Sequence, residues 1–186
     1  MESVYLRIFL FVLCSLGLLV LSRRALKEIG SHGFYRFFAF EGILFLILHN
    51  HPYWFDRPFS LPQLIAWTLL GLSIFYVVQG LGGLKRHGGS KHREDFPGNL
   101  PFENTVHLVE TGLYRYVRHP MYGSLLFLGW GACFKHLSWL TVFVGLVVTL
   151  FLIVAARVEE KENIDFFGDV YRDYMTRSKM FIPYIL

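Results

Sequence analysis

The sequence has few charged residues and few cysteines for its length, and each shortage excludes a class of protein. Charged side chains make up 17% of the 186 residues, whereas a soluble domain carries about 25%. The cysteines are Cys14 and Cys133, both inside apolar runs, so a disulfide framework is not expected. Their positions match no zinc-binding spacing, and we predict no metal centre.

Uncharged runs long enough to cross a bilayer indicate membrane segments. Residues 61–84 and 137–156 contain no charged side chain, and a spanning helix needs about 20 apolar residues. Three shorter apolar runs cover 8–22, 34–49 and 121–134. The first lacks the cleavage site of a secretory signal, and its positive residues follow it, so we expect a retained helix. The sequence therefore predicts an all-α, polytopic membrane protein with about five transmembrane helices.

Lysine and arginine are distributed unevenly between the two sides of this arrangement. If the segments after helices one, three and five face the cytoplasm, only Arg7, Arg57 and Lys135 of the 18 positive residues lie outside. This bias predicts a cytoplasmic C-terminus. A basic face beside anionic lipid headgroups explains the net charge of +4 without nucleic acid as a partner. The small size and the lack of an endoplasmic reticulum retention signal favour a prokaryotic cytoplasmic membrane.

Two polar segments border the last two spans. Residues 85–112 contain Gly, Pro and mixed charges, which predicts a functional loop or a mobile lid. After the fifth span an apolar stripe at helical spacing predicts an amphipathic helix on the membrane surface. The stripe consists of Ile164, Phe167, Tyr171 and Tyr174. Gly168 lies within this predicted helix, and Pro183 marks its latest possible end.

The stretch LYRYVRHPMYGS, residues 113–124, combines cations, tyrosines and a proline directly before an apolar run. Pro120 suits the first position of a helix, whose free N–H groups and dipole favour an anion. Arg118 and His119 lie beside that position, so a carboxylate or phosphate could bind there. The alternative is that these cations face lipid headgroups and the proline merely begins a helix.

Glu159 and Glu160 lie at the predicted cytoplasmic end of the fifth span, where carboxylates oppose the helix dipole. Arg157, Lys161 or Arg118 could compensate them, or they could bind a cationic ligand. An anion site, carboxylates and tyrosine rings together suit few ligands. S-adenosylmethionine fits, because it has a carboxylate, an ammonium, ribose hydroxyls, an adenine and a sulfonium that aromatic faces attract.

Other polar motifs are weaker candidates. Glu41 is an ionisable group at membrane depth, although pairing with Arg36 or a polar neighbour is the preferred interpretation. The histidines of HNH, 49–51, lack a further metal ligand nearby. The GLGG of 80–83 ends a membrane helix, which favours close helix packing over a nucleotide loop.

Three stretches together resemble the isoprenylcysteine carboxyl methyltransferase family and its phospholipid methyltransferase relatives. They are HLVETGLYRYVRHPMYGS (107–124), EEKENIDFFGDVYRDY (159–174) and IPYI (182–185). The resemblance covers about residues 99–186. It implies one methyltransferase-like domain over 1–186, with three helices in 1–84 and a cofactor-binding loop, helical hairpin and capping helix in 85–186.

The resemblance implies an S-adenosylmethionine pocket at the cytoplasmic membrane surface and a lipophilic substrate that enters from the lipid bilayer. Together with Arg118 of the anion site, it assigns cofactor binding to Val106, His107, Leu108, Val109, Tyr114, Arg118, His119, Pro120, Met121, Tyr122, Glu159 and Glu160. No catalytic residue is named, because methyl transfer needs mainly alignment. If the acceptor is an amine, Glu41 or His107 could accept its proton.

Two departures from the family pattern concern Gly123 and Ala155. Gly123 follows Tyr122 directly, whereas the family commonly has the glycine one place later. Ala155 stands where prenylcysteine enzymes carry the arginine that holds the substrate carboxylate, which puts that substrate in doubt. Two alternatives stay open: an NADPH-dependent sterol-type reductase, which shares R-H-x-x-Y and IPYI, and a non-enzymatic membrane scaffold. Paired carboxylates suit an ammonium better than the pyrophosphate of a dinucleotide.

Overall fold

The computed structural model describes residues 2–89 and 105–185, which form helices joined by short turns. The helices are α1 (Glu2–Ser22), α2 (His32–Asn50), α3 (Leu61–His87), α4 (Pro120–Phe134), α5 (Trp139–Phe167) and α6 (Asp169–Arg177). Short 3-10 turns lie at Ala25–Lys27, His51–Tyr53 and Gly112–Arg115. Extended pairing within these described ranges is limited to an isolated bridge between Val117 and Lys179. The all-α prediction is confirmed.

Helices α1, α3 and α5 are long and apolar enough to cross a membrane. They make the chain a membrane protein and confirm three of the predicted spans. Helix α2 has 19 residues and carries Arg36 and Glu41, and α4 has 15 residues. A crossing needs about 20 apolar residues, and neither helix meets that requirement by itself. The membrane crossing of α2 and α4 therefore stays a prediction. The long segment predicted as a loop or lid lies largely outside the described residues.

Helices begin where the sequence offers a suitable first residue. Ser31 accepts a hydrogen bond from the backbone N–H of Phe34 at the start of α2. Ser138 and Thr141 form a reciprocal capping box at the start of α5. Pro120 begins α4, as predicted, because its missing N–H would have no partner in the first turn.

Glycines allow the helices of the bundle to approach closely. A Cβ on Gly80 would lie 3.0 Å from the sulfur of Met121, and one on Gly83 would lie 3.0 Å from the ring of Tyr114. A Cβ on Gly123 would lie 2.9 Å from the ring of Tyr76. The GLGG motif therefore packs α3 against α4 and the turn before it, which confirms the packing interpretation.

The closest approach joins α2 to α5 at Gly42. A Cβ there would overlap Cγ2 of Val148, a β-branched side chain with little freedom to turn away. We expect Gly42→Ala to destabilise the protein by about 1–3 kcal/mol through overpacking. Gly71→Ala in α3 is the matched control, because its Cβ meets nothing within 4 Å. Thermal unfolding in detergent should show a lower Tm for the first variant alone, and equal Tm values would contradict this packing.

Helix α1 lies outside the core and packs on α2. Ser15 donates a 2.6 Å hydrogen bond to Glu41 Oε2, which ties the two helices together at membrane depth. The interpretation that Glu41 pairs with a polar neighbour is confirmed by this contact. The other face of α1 presents leucine, valine and phenylalanine outward, as a lipid-facing helix does.

The C-terminal region differs from its prediction in one respect. Helix α5 continues past the apolar span to Phe167, and Gly168 then adopts φ +63° and separates it from α6. The predicted single amphipathic helix through Gly168 is therefore wrong, because a left-handed residue breaks the α-helical hydrogen bonding. The apolar stripe nevertheless survives, since Tyr171 and Tyr174 of α6 are both buried.

Candidate functional site

A cavity of about 80 Å³, partly open to solvent, lies where the end of α3 meets the start of α4. The late turns of α5 and the buried face of α6 close its other sides. Its walls consist of Leu84, Thr105, Leu108, Val109, Tyr114, Arg118, His119, Pro120, Met121, Tyr122, Glu159, Asn163, Phe167, Tyr171 and Tyr174. Two distant stretches of sequence, 105–122 and 159–174, thus meet in one place.

Most residues assigned to the cofactor from sequence lie in these walls, and three do not. Val106 lies against Gly89 instead, His107 is exposed, and Glu160 lies just behind the wall. The walls also contain residues that the sequence did not assign to the cofactor: Leu84, Thr105, Asn163, Phe167, Tyr171 and Tyr174. A signal for Asn163 existed, because it follows Glu159 by four residues and shares its helix face. The last three formed the apolar stripe without being assigned to the pocket.

Arg118 connects α5 to the C-terminal segment. Its Nε donates a 2.7 Å hydrogen bond to Glu160 Oε1, and both side chains are nearly buried. Its Nη1 donates to the carbonyl oxygens of Met175 and Ser178. Arg118 therefore compensates the negative charge of Glu160, one of the two carboxylates for which this was predicted. These bonds commit Arg118 largely to internal contacts, which weakens its predicted role as an anion ligand.

The helix dipole does not oppose Glu159 and Glu160 as the sequence predicted. Helix α5 ends at Phe167, so Glu159 lies two turns before its end, and the dipole acts mainly within the last turn. Ion pairs compensate the carboxylates instead. His119 Nδ1 lies 3.7 Å from Glu159 Oε1, its Nε2 lies 3.5 Å from Glu160 Oε1, and His32 Nδ1 lies 2.6 Å from Glu162 Oε2.

His119 is buried between the two carboxylates just before α4. Burial by itself lowers the pKa of His119, but the neighbouring Glu159 and Glu160 outweigh it and raise that pKa to about 9. His119 is therefore a cation at neutral pH, fixed between α4 and α5.

This raised pKa predicts how stability changes with pH. A histidine whose folded pKa exceeds its ordinary value of 6.5 stabilises the fold fully below that pH and loses the contribution as pH rises through about 9. We expect Tm to fall between these limits, and we expect a smaller fall in His119→Asn. Thermal unfolding across that range measures both, and parallel curves for the two proteins would contradict the assignment.

Tyrosine rings form much of the cavity wall. Tyr174 donates a 2.5 Å hydrogen bond to the carbonyl oxygen of Tyr114, which fixes α6 against the turn before α4. Burial raises the pKa of Tyr171 and of Tyr174, so both phenols stay neutral. The ring of Tyr122 stacks on His119 with centroids 5.6 Å apart. The cavity thus combines the carboxylate of Glu159 with electron-rich aromatic faces.

The comparisons with known proteins agree with this placement. A family model described as phospholipid methyltransferase matches residues 63–173, which include most of the residues that form the cavity. This chain belongs to the phospholipid methyltransferase family. The match favours a methyltransferase site over the sterol-type reductase. No solved structure matches the chain.

Curated relatives of this phospholipid methyltransferase family member match part of the chain. Methanethiol S-methyltransferase 1 of Bradyrhizobium diazoefficiens is 38% identical over 72 residues, 39% of this chain and 25% of that protein. Methanethiol S-methyltransferase of Pseudomonas deceptionensis is 35% identical over 71 residues, 38% of this chain and 26% of that protein. The chain spans about a quarter of the length of the curated relatives it matches.

Neither residue considered as a proton acceptor lies in the cavity of this family member. His107 is exposed, and Glu41 bonds to Ser15 on the side of α2 that faces α1. Neither residue can therefore act as a general base within hydrogen-bond reach of an acceptor bound in the cavity. The described residues of the cavity can align bound molecules and place charged groups beside them.

The position of Tyr114 depends on a single glycine of α3. Because a Cβ on Gly83 would lie 3.0 Å from two atoms of its ring, Gly83→Ala should displace the ring. We expect a rise of about fivefold in the Kd of a ligand bound in the cavity, equivalent to about 1 kcal/mol. Gly82→Ala is the control, because its Cβ meets nothing within 4 Å. Calorimetric titration of both variants with S-adenosylmethionine makes the comparison, and equal affinities would contradict it.

Proposed function

We propose that this chain is an integral membrane methyltransferase that binds S-adenosylmethionine in the cavity beside Glu159 and methylates a lipophilic acceptor. The observation that carries the proposal is the position of the Glu159 carboxylate in one cavity with four tyrosine side chains. They are Tyr114, Tyr122, Tyr171 and Tyr174. The family match to methyltransferases supports it independently.

The residues of the cavity suit this cofactor. A carboxylate complements an ammonium, and aromatic faces attract a sulfonium cation. Asn163, one turn from Glu159, offers an amide for ribose hydroxyls, and Leu108 and Val109 provide apolar surface for a flat base.

S-adenosylmethionine supplies a methyl group on an already activated sulfonium. The protein residues then need to hold this group in line with the acceptor and to exclude water. Tyr171 and Tyr174, both buried, close one side of the cavity and limit the entry of water. His119 stays protonated between the two glutamates and thereby keeps the Glu159 carboxylate at a fixed distance from α4.

For the acceptor, we propose an uncharged lipophilic thiol. Two curated relatives are named as methyltransferases that act on methanethiol, a small apolar thiol. Ala155 lies fully buried in the core, at the position where a prenylcysteine enzyme has its carboxylate-binding arginine. Acceptor sulfur would form the new bond to the methyl carbon, the bond to the sulfonium would break, and the thiol proton would pass to solvent.

The proposed arrangement places the cavity on the cytoplasmic side of a prokaryotic membrane. The ends of α3 and α5 that border the cavity carry Lys85, Arg86, Arg157 and Lys161, in keeping with the positive-inside rule. S-adenosylmethionine is then supplied from the cytoplasm, and a lipophilic acceptor from the bilayer.

Calorimetric titration of the detergent-solubilised protein with S-adenosylmethionine and, separately, with NADPH tests the cofactor. We expect binding of S-adenosylmethionine alone. Binding of NADPH alone would support the reductase, and binding of neither would support the scaffold. The acceptor is tested by methyl transfer to an alkanethiol, an alkylamine and an alkanoic acid of equal chain length. A preference for the acid or the amine would overturn the proposed thiol class.

A further inference from the structure

Lys135 is a buried cation at the end of α4 remote from the Glu159 cavity. Its side chain is 4% exposed. Its Nζ donates to Gln63 Oε1 at 3.0 Å and to the carbonyl oxygen of Trp54 at 3.3 Å, and it lies 3.1 Å from the centroid of the Trp67 ring. These contacts hold α3, α4 and the turn after α2 together at one membrane boundary.

The Lys135 ammonium also lies 5.5 Å from the centroid of the Trp54 ring, and all of these contacts are with uncharged groups. Within the described ranges, no carboxylate lies at ion-pair distance from its ammonium. Asp56, an acidic side chain of the neighbouring pocket, is half exposed and lies 3.5 Å from Arg57. A buried ammonium without a counter-ion is costly, and buried charges in proteins are generally paired.

A polar pocket borders this lysine. It has a volume of about 270 Å³ and is partly open to solvent, and its lining includes Tyr53, Asp56, Arg57, Ser60, Gln63, Lys135 and His136. The guanidinium of Arg57 is exposed at this site. Asp56 is an acceptor, whereas Arg57 and Lys135 are basic and Ser60 can donate a hydrogen bond.

The first turn of α3 opens into the same pocket. Ser60 precedes α3 as a capping residue, yet its side chain makes no capping hydrogen bond. Ser31 and Ser138, at the equivalent positions of α2 and α5, both make one. Pro62 has no N–H, so the donors that the first turn offers to an oxygen ligand are the N–H groups of Leu61 and Gln63 and the Ser60 hydroxyl.

We propose that the pocket formed by Arg57, Ser60 and Lys135 binds a phosphate group. A phosphate supplies the negatively charged partner that Lys135 lacks. Its oxygens can also accept hydrogen bonds from a guanidinium, a hydroxyl and helix N–H groups. The source is either a phospholipid headgroup at this boundary or a free phosphate. The proposal is independent of the methyltransferase activity, because the pocket lies at the other end of α4.

Thermal unfolding in an uncharged detergent tests the site with two probes. The first is inorganic phosphate, compared with sodium chloride at equal ionic strength. The second is phosphatidylglycerol in the micelles, compared with an uncharged monoacylglycerol. We expect at least one probe to raise the Tm of the wild-type protein by several degrees. A rise with both identifies the phosphate group itself, and a rise with the lipid alone identifies a headgroup.

Variants separate this site from the basic residues at the opposite boundary. Lys135→Met and Arg57→Gln should each remove at least half of the rise in Tm, whereas Lys85→Met, at the other end of α3, should keep it. The readout is the shift caused by the probe, so a lower starting Tm does not obscure it. Arg57 is exposed, so its variant serves even where Lys135→Met does not fold. No shift with either probe, or an unchanged shift in Arg57→Gln, would overturn the proposal.

Discussion

Replacing Glu159 by glutamine should lower the affinity for S-adenosylmethionine by about tenfold to a hundredfold. A hydrogen bond to a charged group contributes about 1.5–3 kcal/mol, which corresponds to that range of Kd. Glu159 is the carboxylate in the wall of the cavity, and its amide analogue keeps the shape while removing the charge. Calorimetric titration with S-adenosylmethionine measures the loss directly.

Two further variants make this result specific. Asp165→Asn is the same chemical change on an exposed residue of the same helix, and it should leave the affinity unchanged. Glu160→Gln should lower Tm more than it lowers affinity, because Glu160 contacts Arg118 behind the wall rather than the cavity itself. If Glu159→Gln binds S-adenosylmethionine as tightly as the wild type does, the assigned site is wrong.

Replacing Arg118 by methionine should destabilise the protein by about 3 kcal/mol, the lower end of the cost of breaking a buried ion pair, because Glu160 keeps His119 Nε2 at 3.5 Å as a second ionic partner. Arg118 and Glu160 are 10% and 8% exposed, and their charged atoms lie 2.7 Å apart. The same change removes the donor for the carbonyl oxygens of Met175 and Ser178 at the end of α6. Chemical or thermal unfolding in detergent measures the effect.

The double variant Arg118→Met with Glu160→Gln is the informative comparison. It removes both members of the pair, so no lone charge is left at this position, and we expect it to recover about half of the lost stability. His119 keeps Glu159 as an ionic partner in this variant. A double variant that is less stable than Arg118→Met would show that the loss comes from the carbonyl contacts instead.

The sequence predicted those features that depend on local chemistry or on a specific motif. Pro120 indicated the start of α4 because proline suits a first turn, and the structure begins the helix there. The GLGG motif indicated close packing, and Gly80 and Gly83 approach Met121 and Tyr114. The stretches around His119 and Glu159, distant in sequence, were expected in one pocket, and both line the same cavity.

Features that depend on long-range packing were not predictable in the same way. The sequence placed Glu159 at a helix end, but α5 continues to Phe167 because its last turns lie beside α2 and carry Glu162 to His32. Gly168 was treated as a weak point inside a helix, and its positive φ instead divides two helices. Lys135 looked like an exception to the charge bias, and only the folded chain shows it buried against Trp67.

The pairing of residues 116–119 with the segment after α6 has a consequence for how the protein is made. The backbone N–H groups of Arg118 and His119 donate to Lys179 and Met180, and Phe181 is fully buried in the core. These partners are synthesised after all six helices, within the last ten residues of the sequence. The start of α4 therefore reaches its final hydrogen bonding only after α6 and the segment that follows it have been made. A chain that ended before Lys179 would keep all six helices yet lack these partners of the cavity wall.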